Sequence, residues 1–262
     1  NLEDYRKELK PGTTVLKVHR SNFVVEGFTE EVSLSELASL CQDHGCPLIY
    51  DAGSGAIFPY EELGLPAGET LLQEDVKAGP TLVTCSGDKL LGGCQAGIIL
   101  GSAEDVAGLR KHPMRRALRV DKTTLVALDA VLTQYLVAEG RPSIPTLDQL
   151  AQSSAELDDR AGRLLSQLSA YAPDHWKGAV VVGNSSVGGG TFSTTTIESR
   201  LVLWTGPKEE LESCHQLLRR GDPALVGRMN QDGLAVDVRT ITEAELPLVV
   251  AAFENAWQKI CP

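Results

Sequence analysis

Residues 81–100 read TLVTCSGDKLLGGCQAGIIL, two apolar runs separated by a lysine in a glycine-rich turn. Thr81–Cys85 and Ala96–Leu100 have the length and apolar content of buried strands. Lys89 follows the end of the first. Upstream, Pro47–Tyr50 reads as another buried strand that delivers Asp51-Ala-Gly-Ser-Gly55 at its carboxyl end, and Thr13–His19 reads as a strand before it. Helices are expected between them. Ser33-Leu-Ser-Glu36 is a capping box for a helix running to about His44 and ended by Gly45, a second helix covers Leu71–Ala78, and Ser102 caps a third. Strands alternating with helices predict an α/β fold with a mostly parallel sheet covered on both faces. In such sheets ligands sit beyond the carboxyl ends of the strands, where Asp51 and Lys89 fall.

Further along, Asp121 to about Val137 is expected as a long helix, followed by a Gly-Arg-Pro break at 140–142. Thr146–Tyr171 has helical periodicity, and a domain boundary is placed there. Residues 1–145 form the first domain and 146–262 a compact α+β domain of pattern β-β-α-β-β-α. Its expected strands are Ala179–Gly183, Ser199–Leu203 and a hairpin of Leu225–Met229 and Leu234–Val238 turned by Asn230-Gln-Asp-Gly233. Helices are expected from Glu209 to about Arg219 and over Glu243–Ile260.

The chain has 262 residues, 42% hydrophobic and 23% charged, an ordinary globular composition. No apolar run is long enough to span a membrane. Asn1 is neither an initiator Met nor the start of a signal peptide, so the sequence reads as the interior of a longer, cytoplasmic chain. Cys41, Cys46, Cys85, Cys94, Cys214 and Cys261 show no CxxC pair and no zinc-like spacing with histidine, so reduced thiols and no metal are expected. The net charge of -11 argues against a whole-surface nucleic-acid binder. Against it stands a basic run, Arg110, Lys111, Arg115, Arg116, Arg119 and Lys122, which reads either as an anion site or as a solvated helix face.

A lysine that forms a Schiff base needs a partly desolvated pocket that lowers its pKa, and glycines such as Gly87, Gly92 and Gly93 let backbone approach a cofactor. Taken alone, Lys89 also fits an exposed lysine in a structural turn. Asp51 fits a carboxylate beneath a pyridine ring, or a turn former satisfying local N–H groups. His19 fits a residue stacking on the ring, or an ordinary strand-end histidine.

Taken together, several motifs are similar to bacterial selenocysteine synthases, the L-seryl-tRNA(Sec) selenium transferases. They are Lys17-Val-His-Arg-Ser-Asn-Phe23 with Glu26-Gly-Phe28, Asp51-Ala-Gly-Ser-Gly55, Ser86-Gly-Asp-Lys-Leu-Leu-Gly-Gly93, Gln95-Ala-Gly97 and Arg115-Arg-Ala-Leu-Arg-Val-Asp-Lys122. Val187-Gly-Gly-Gly190, Val226-Gly-Arg228 and Asp237-Val-Arg239 continue the resemblance in family order, with an N-terminal part of the family's length absent. Cys94 departs from the pattern, which commonly has proline there.

The resemblance implies a pyridoxal-phosphate (PLP) enzyme of fold type I. Lys89 matches the cofactor lysine, Asp51 the pyridine-nitrogen partner and Ser86 a phosphate contact. Asp88 and His19 are further cofactor-site candidates, and Arg116 and Arg119 match the selenophosphate arginines. It implies conversion of seryl-tRNA(Sec) to selenocysteyl-tRNA(Sec) through a dehydroalanyl intermediate, with tRNA held mainly by the absent N-terminal region and a homo-oligomer of dimers, a decamer in the full-length protein. Two rival readings remain at this point. One is a PLP lyase of the same scaffold acting on a small amino acid or amino sugar acid, and the other is an inactive PLP-fold scaffold.

Overall fold

The computed structural model describes residues 1–20, 27, 30–66, 68–188, 190–192 and 194–261. The Ser21–Phe23, Glu26 and Phe28 parts of the first motif, and Gly189, lie outside the described residues. Asn1 caps helix α1 (Leu2–Glu8), and strand β1 (Val15–Val18) follows. Ser33 caps helix α2 (Leu34–Asp43) through the expected box, its hydroxyl accepting the Glu36 N–H while Glu36 accepts the Ser33 N–H. Strand β2 (Leu48–Gly53), helix α3 (Leu72–Lys77), strand β3 (Leu82–Ser86) and strand β4 (Gly97–Gly101) come next. Helices α4 (Ala103–Lys111), α5 (Arg115–Leu118) and α6 (Lys122–Val137) follow, with Ser102 and Asp121 as the caps of α4 and α6.

The expected helix over 146–171 is two. Helix α7 (Pro145–Leu150) stops, and Ser153 opens α8 (Ser154–Ser169) with a capping box of its own. A strong N-cap ends the preceding helix because its own backbone is extended, at ψ 157°. The rest is strands β5 (Lys177–Ser186) and β6 (Thr196–Thr205), helix α9 (Lys208–Arg220), strands β7 (Arg228–Asn230) and β8 (Gly233–Asp237), and helix α10 (Leu246–Ile260). Among the described residues no helix is long and apolar enough to cross a membrane.

By their contacts the residues form two units, Asn1–Asp148 with Val187–Thr195, and Gln149–Ser186 with Thr196–Pro262. In the first, the sheet order is β1-β2-β3-β4; β1, β2 and β3 are parallel and β4 runs antiparallel to β3. Alternation sets the faces. Leu48, Tyr50 and Ala52 of β2 and Val83 and Cys85 of β3 are buried, while Asp51 and Thr84 between them point the other way. Much of α6 is uncovered. Leu128 is its one buried residue, and Leu125, Val126, Leu136 and Val137 are exposed.

The second unit has an antiparallel sheet, β5-β6-β8-β7, with α8, α9 and α10 supplying its core partners. All three tryptophans of the chain, Trp176, Trp204 and Trp257, pack there, with Trp204 and Trp257 ring centroids 5.1 Å apart. The motif residues Asp237 and Arg239 serve this packing. Asp237 accepts from Ser185, from Ser199 at 2.6 Å and from Arg228. Arg239 is buried and donates to the carbonyls of Glu198 at 2.6 Å and Gln149 at 2.8 Å, tying β6 to the end of α7. Carbonyls accept from its two terminal nitrogens, which offsets part of the cost of burying the guanidinium, while Nε has no partner among the described residues.

Phe253 is fully buried with its ring centroid 5.0 Å from that of Trp257. Phe253→Ala is expected to cost the second unit about 3–5 kcal/mol. The lower denaturation midpoint is read by tryptophan emission, which reports this unit because every tryptophan lies in it.

Candidate active site

The parallel strands carry three of the candidate residues to one end of the sheet. Val18 of β1 pairs with Asp51 of β2, and Asp51 with Thr84 of β3. His19 follows β1, and its N–H donates to the Asp51 carbonyl at 2.8 Å. Ser86 is the last residue of β3. Asp51 lies inside β2, which extends to Gly53 with a register shift between Asp51 and Gly53. Its side chain is held by Thr84, whose hydroxyl donates to Oδ1 at 2.9 Å. Oδ2 of Asp51 has no hydrogen bond among the described residues.

Lys89 sits in the turn after β3, half-buried, with no hydrogen bond or ion pair to its ammonium among the described residues. Its backbone is firmly placed. Leu90 N–H donates to the Ser54 carbonyl at 3.0 Å, which joins this turn to the Asp51-Ala-Gly-Ser-Gly55 segment. Tyr60 and Tyr135 donate their hydroxyls to the Leu90 carbonyl at 2.5 Å and the Leu91 carbonyl at 3.1 Å. The glycines of the turn are explained by its own packing. A Cβ on Gly87 would lie 2.7 Å from the Cys94 carbonyl, and one on Gly92, at φ +75°, would lie 2.5 Å from Ile144 Cγ2. Asp88 is exposed and without a partner among the described residues.

Two residues of the site were not singled out in the sequence. Thr84 is one, although strand alternation places it on the face of Asp51. The other is Glu69, in a loop with no sequence signal. Its side chain is only 5% exposed, and its Oε2 lies 3.2 Å from Nε2 of His19, itself 16% exposed. The distance is that of an ion pair, while the alignment falls short of a hydrogen bond at Oε2. The contact with Glu69 raises the His19 pKa against the opposing effect of burial. For Glu69, burial pushes the pKa up, but its contacts with His19 and Ser54 outweigh that and leave it lowered. The Phe192 N–H donates to Glu69 Oε1 at 3.3 Å, and the Phe192 ring packs on Tyr60 with centroids 5.9 Å apart. Phe192 has a positive φ of 47°, so its own backbone is locally strained where it makes these contacts.

Arg116 lies in α5 and Arg119 directly after it. With Arg110, His112, Pro113 and Arg115 they line a concavity of about 460 Å³. All four arginines are exposed, and none has a carboxylate partner among the described residues. The described hydrogen bonds and ion pairs do not link them to His19, Asp51, Ser86 or Lys89. The structure thus gathers four candidates at the strand ends, while the arginines line a concavity of their own.

A free amine, a carboxylate with one open oxygen and a free hydroxyl fit the aldehyde, ring nitrogen and phosphate of PLP. Among solved structures, D-glucosaminate-6-phosphate ammonia-lyase aligns with a TM-score of 0.58 over 100% of this chain and 62% of that one, at 19% identity. That likeness shows the fold, an α/β architecture with a mostly parallel sheet in the first unit. An L-seryl-tRNA(Sec) selenium transferase of Solidesulfovibrio magneticus is 41% identical over 98% of this chain and 56% of its own length. That of Carboxydothermus hydrogenoformans is 39% identical over 94% of this chain and 52% of its own length. The chain spans about half the length of the curated relatives it matches. The model of the L-seryl-tRNA selenium transferase family matches residues 1–242, nearly all of both units, and on that match the chain belongs to this family.

Proposed function

We propose that this chain is the lysine-bearing part of a cytoplasmic, PLP-dependent enzyme that converts seryl-tRNA(Sec) to selenocysteyl-tRNA(Sec) with selenophosphate. The observation that carries the reading is Lys89, a half-buried amine without a partner among the described residues, in a turn tied through Leu90 and Ser54 to the strand end that bears Asp51. When bound, PLP supplies an electron sink for the pair left by the substrate's α-proton.

The chain's own residues divide the work. Lys89 Nζ would hold the cofactor through its aldehyde, and as a free amine it would take the substrate's α-proton. Asp51 keeps a proton on the ring nitrogen through Oδ2, while Thr84 fixes its other oxygen. Ser86 contacts the phosphate, Asp88 borders the lysine, and His19 bears on the ring with Glu69 behind it. Arg116 and Arg119 take the selenophosphate, since guanidinium forks match phosphate oxygens and the seryl carboxyl is esterified to tRNA. Binding of tRNA(Sec) is assigned mainly to the part of the protein outside this chain. Assembly as dimers within a homo-oligomer, a decamer in the full-length protein, belongs to the same proposal, and the exposed apolar residues of α6 support a covered surface there.

Borohydride reduction of the protein incubated with PLP, followed by peptide mass spectrometry, tests the assignment. A phosphopyridoxyl adduct is expected on Lys89 and is expected to vanish in Lys89→Ala; an adduct confined to another lysine, or none in the full-length protein, sinks the reading. Glu69 is assigned as a positioning residue for His19. In Glu69→Gln the His19 titration midpoint, followed by NMR, is expected to fall, because the largest raising contact is lost while burial still disfavours the charge, with only the more distant Asp75 and Glu31 left to raise it. An unmoved midpoint removes Glu69 from that role. With a net charge of -11, this chain alone is expected to bind tRNA weakly in a mobility-shift assay, and tight tRNA(Sec)-selective binding would contradict the division of labour.

A further inference from the structure

We propose that His175, Glu210 and Cys261 form a binding site for a divalent transition-metal ion of the zinc class within the second unit. The three come from different places in the chain: the connection between α8 and β5, the first turn of α9, and the residue after α10. Each offers a ligand atom, and these atoms lie within 4.8 Å of one another. Nε2 of His175 is 2.6 Å from Glu210 Oε2, and Cys261 Sγ is 3.8 Å from the same oxygen.

The chemistry of the set selects the ion. Calcium and magnesium take oxygen ligands, whereas a thiolate with an imidazole and one carboxylate suits zinc and its neighbours. Zinc–nitrogen and zinc–oxygen bonds of about 2.0 Å and a zinc–sulfur bond of about 2.3 Å put tetrahedral donors roughly 3.2–3.8 Å apart. The His175–Glu210 contact must therefore open by about half an ångström. Their side chains, 49% and 30% exposed, have room to turn. The carboxylate is oriented in the manner of ligating groups held from outside the metal shell. Trp176 Nε1 donates to Oε2 at 2.9 Å, leaving Oε1 without a hydrogen bond among the described residues. Trp176 is in turn buried against Trp204 and Trp257.

Binding displaces the Cys261 thiol proton to solvent and forms one bond each to sulfur, nitrogen and oxygen, with water completing the tetrahedron. The ion would staple the end of α10 to α9 and to the start of β5. The sequence hides such a site, because its ligands are 35 and 51 residues apart rather than in a short motif.

The test uses the intact protein, reduced, stripped of metal and titrated with Co2+, then with Zn2+ in competition. A single equivalent of Co2+ is expected, with thiolate-to-cobalt charge-transfer absorption that Zn2+ displaces and excess Mg2+ does not. Cys261→Ser should abolish that absorption, and His175→Gln should weaken Co2+ binding about tenfold or more. Native tryptophan emission in both variants checks that the unit is folded. Lack of the band in the folded wild-type protein, or its full persistence in Cys261→Ser, overturns the proposal. Neither outcome touches the PLP assignment, because no step of the titration uses the cofactor.

Discussion

The hydrogen bond from Thr84 to Asp51 crosses two parallel strands, and it exists because Asp51 is registered opposite Thr84 and Val18. That register is enforced from the other face of the sheet. Tyr50, Ala52, Val83 and Cys85 enter one core cluster together with Leu72 of α3. A one-residue slip of β2 would move Tyr50 and Ala52 out of that cluster and drive Asp51 into it, losing apolar burial and stranding a carboxylate. The arrangement of side chains at the strand ends therefore rests on the apolar packing beneath it. Parallel strands have their carboxyl ends on one side, so the same packing brings His19, Asp51 and Ser86 to a common edge.

The lysine turn is held by backbone-level contacts. Its carbonyls receive the Tyr60 and Tyr135 hydroxyls, its Leu90 N–H meets the segment after Asp51, and its glycines allow it to fold against Cys94, Leu128 and Ile144. Holding the main chain while leaving the ammonium without a partner among the described residues is what the role proposed for Lys89 requires, since any ion pair would have to be broken before reaction. The His19–Glu69 contact lies in the same unit and is an ion pair when His19 is protonated. Burial raises the cost of each charge, and mutual attraction offsets it. Phe192 links the two features, with its N–H on Glu69 and its ring on Tyr60.

The second unit shows how motif residues divide between chemistry and architecture. Asp237, Arg239 and Arg228 carry the family pattern, yet their partners are strand hydroxyls, backbone carbonyls and one another. They join β5, β6, β7 and β8 to the end of α7. Sequence similarity alone would give these charged residues the same weight as Lys89. Asp237 and Arg228 are held by these partners, and the buried Arg239 keeps both terminal nitrogens on backbone carbonyls while its Nε has no partner among the described residues, which places all three in the scaffold.

Periodicity and caps read from the chain were enough for most elements. Ser33, Ser102 and Asp121 start their helices because a side-chain oxygen satisfies an N–H within three residues, an interaction independent of the rest of the fold. Short apolar runs likewise located β2 and β3, and the lysine motif was visible as a local pattern. Local signals were weaker across 146–171, where helical periodicity continued through the break that Ser153 makes. What the sequence by itself determined was the order of elements, the family pattern and the identity of the residues at the strand ends. Only the tertiary structure decided that Glu69 faces His19, that the turn glycines serve packing, that residues 187–195 cluster with the first unit, and that His175, Glu210 and Cys261 meet. Each of those contacts joins distant parts of the chain, and such pairings come from the closing of the whole fold, which no short-range pattern encodes.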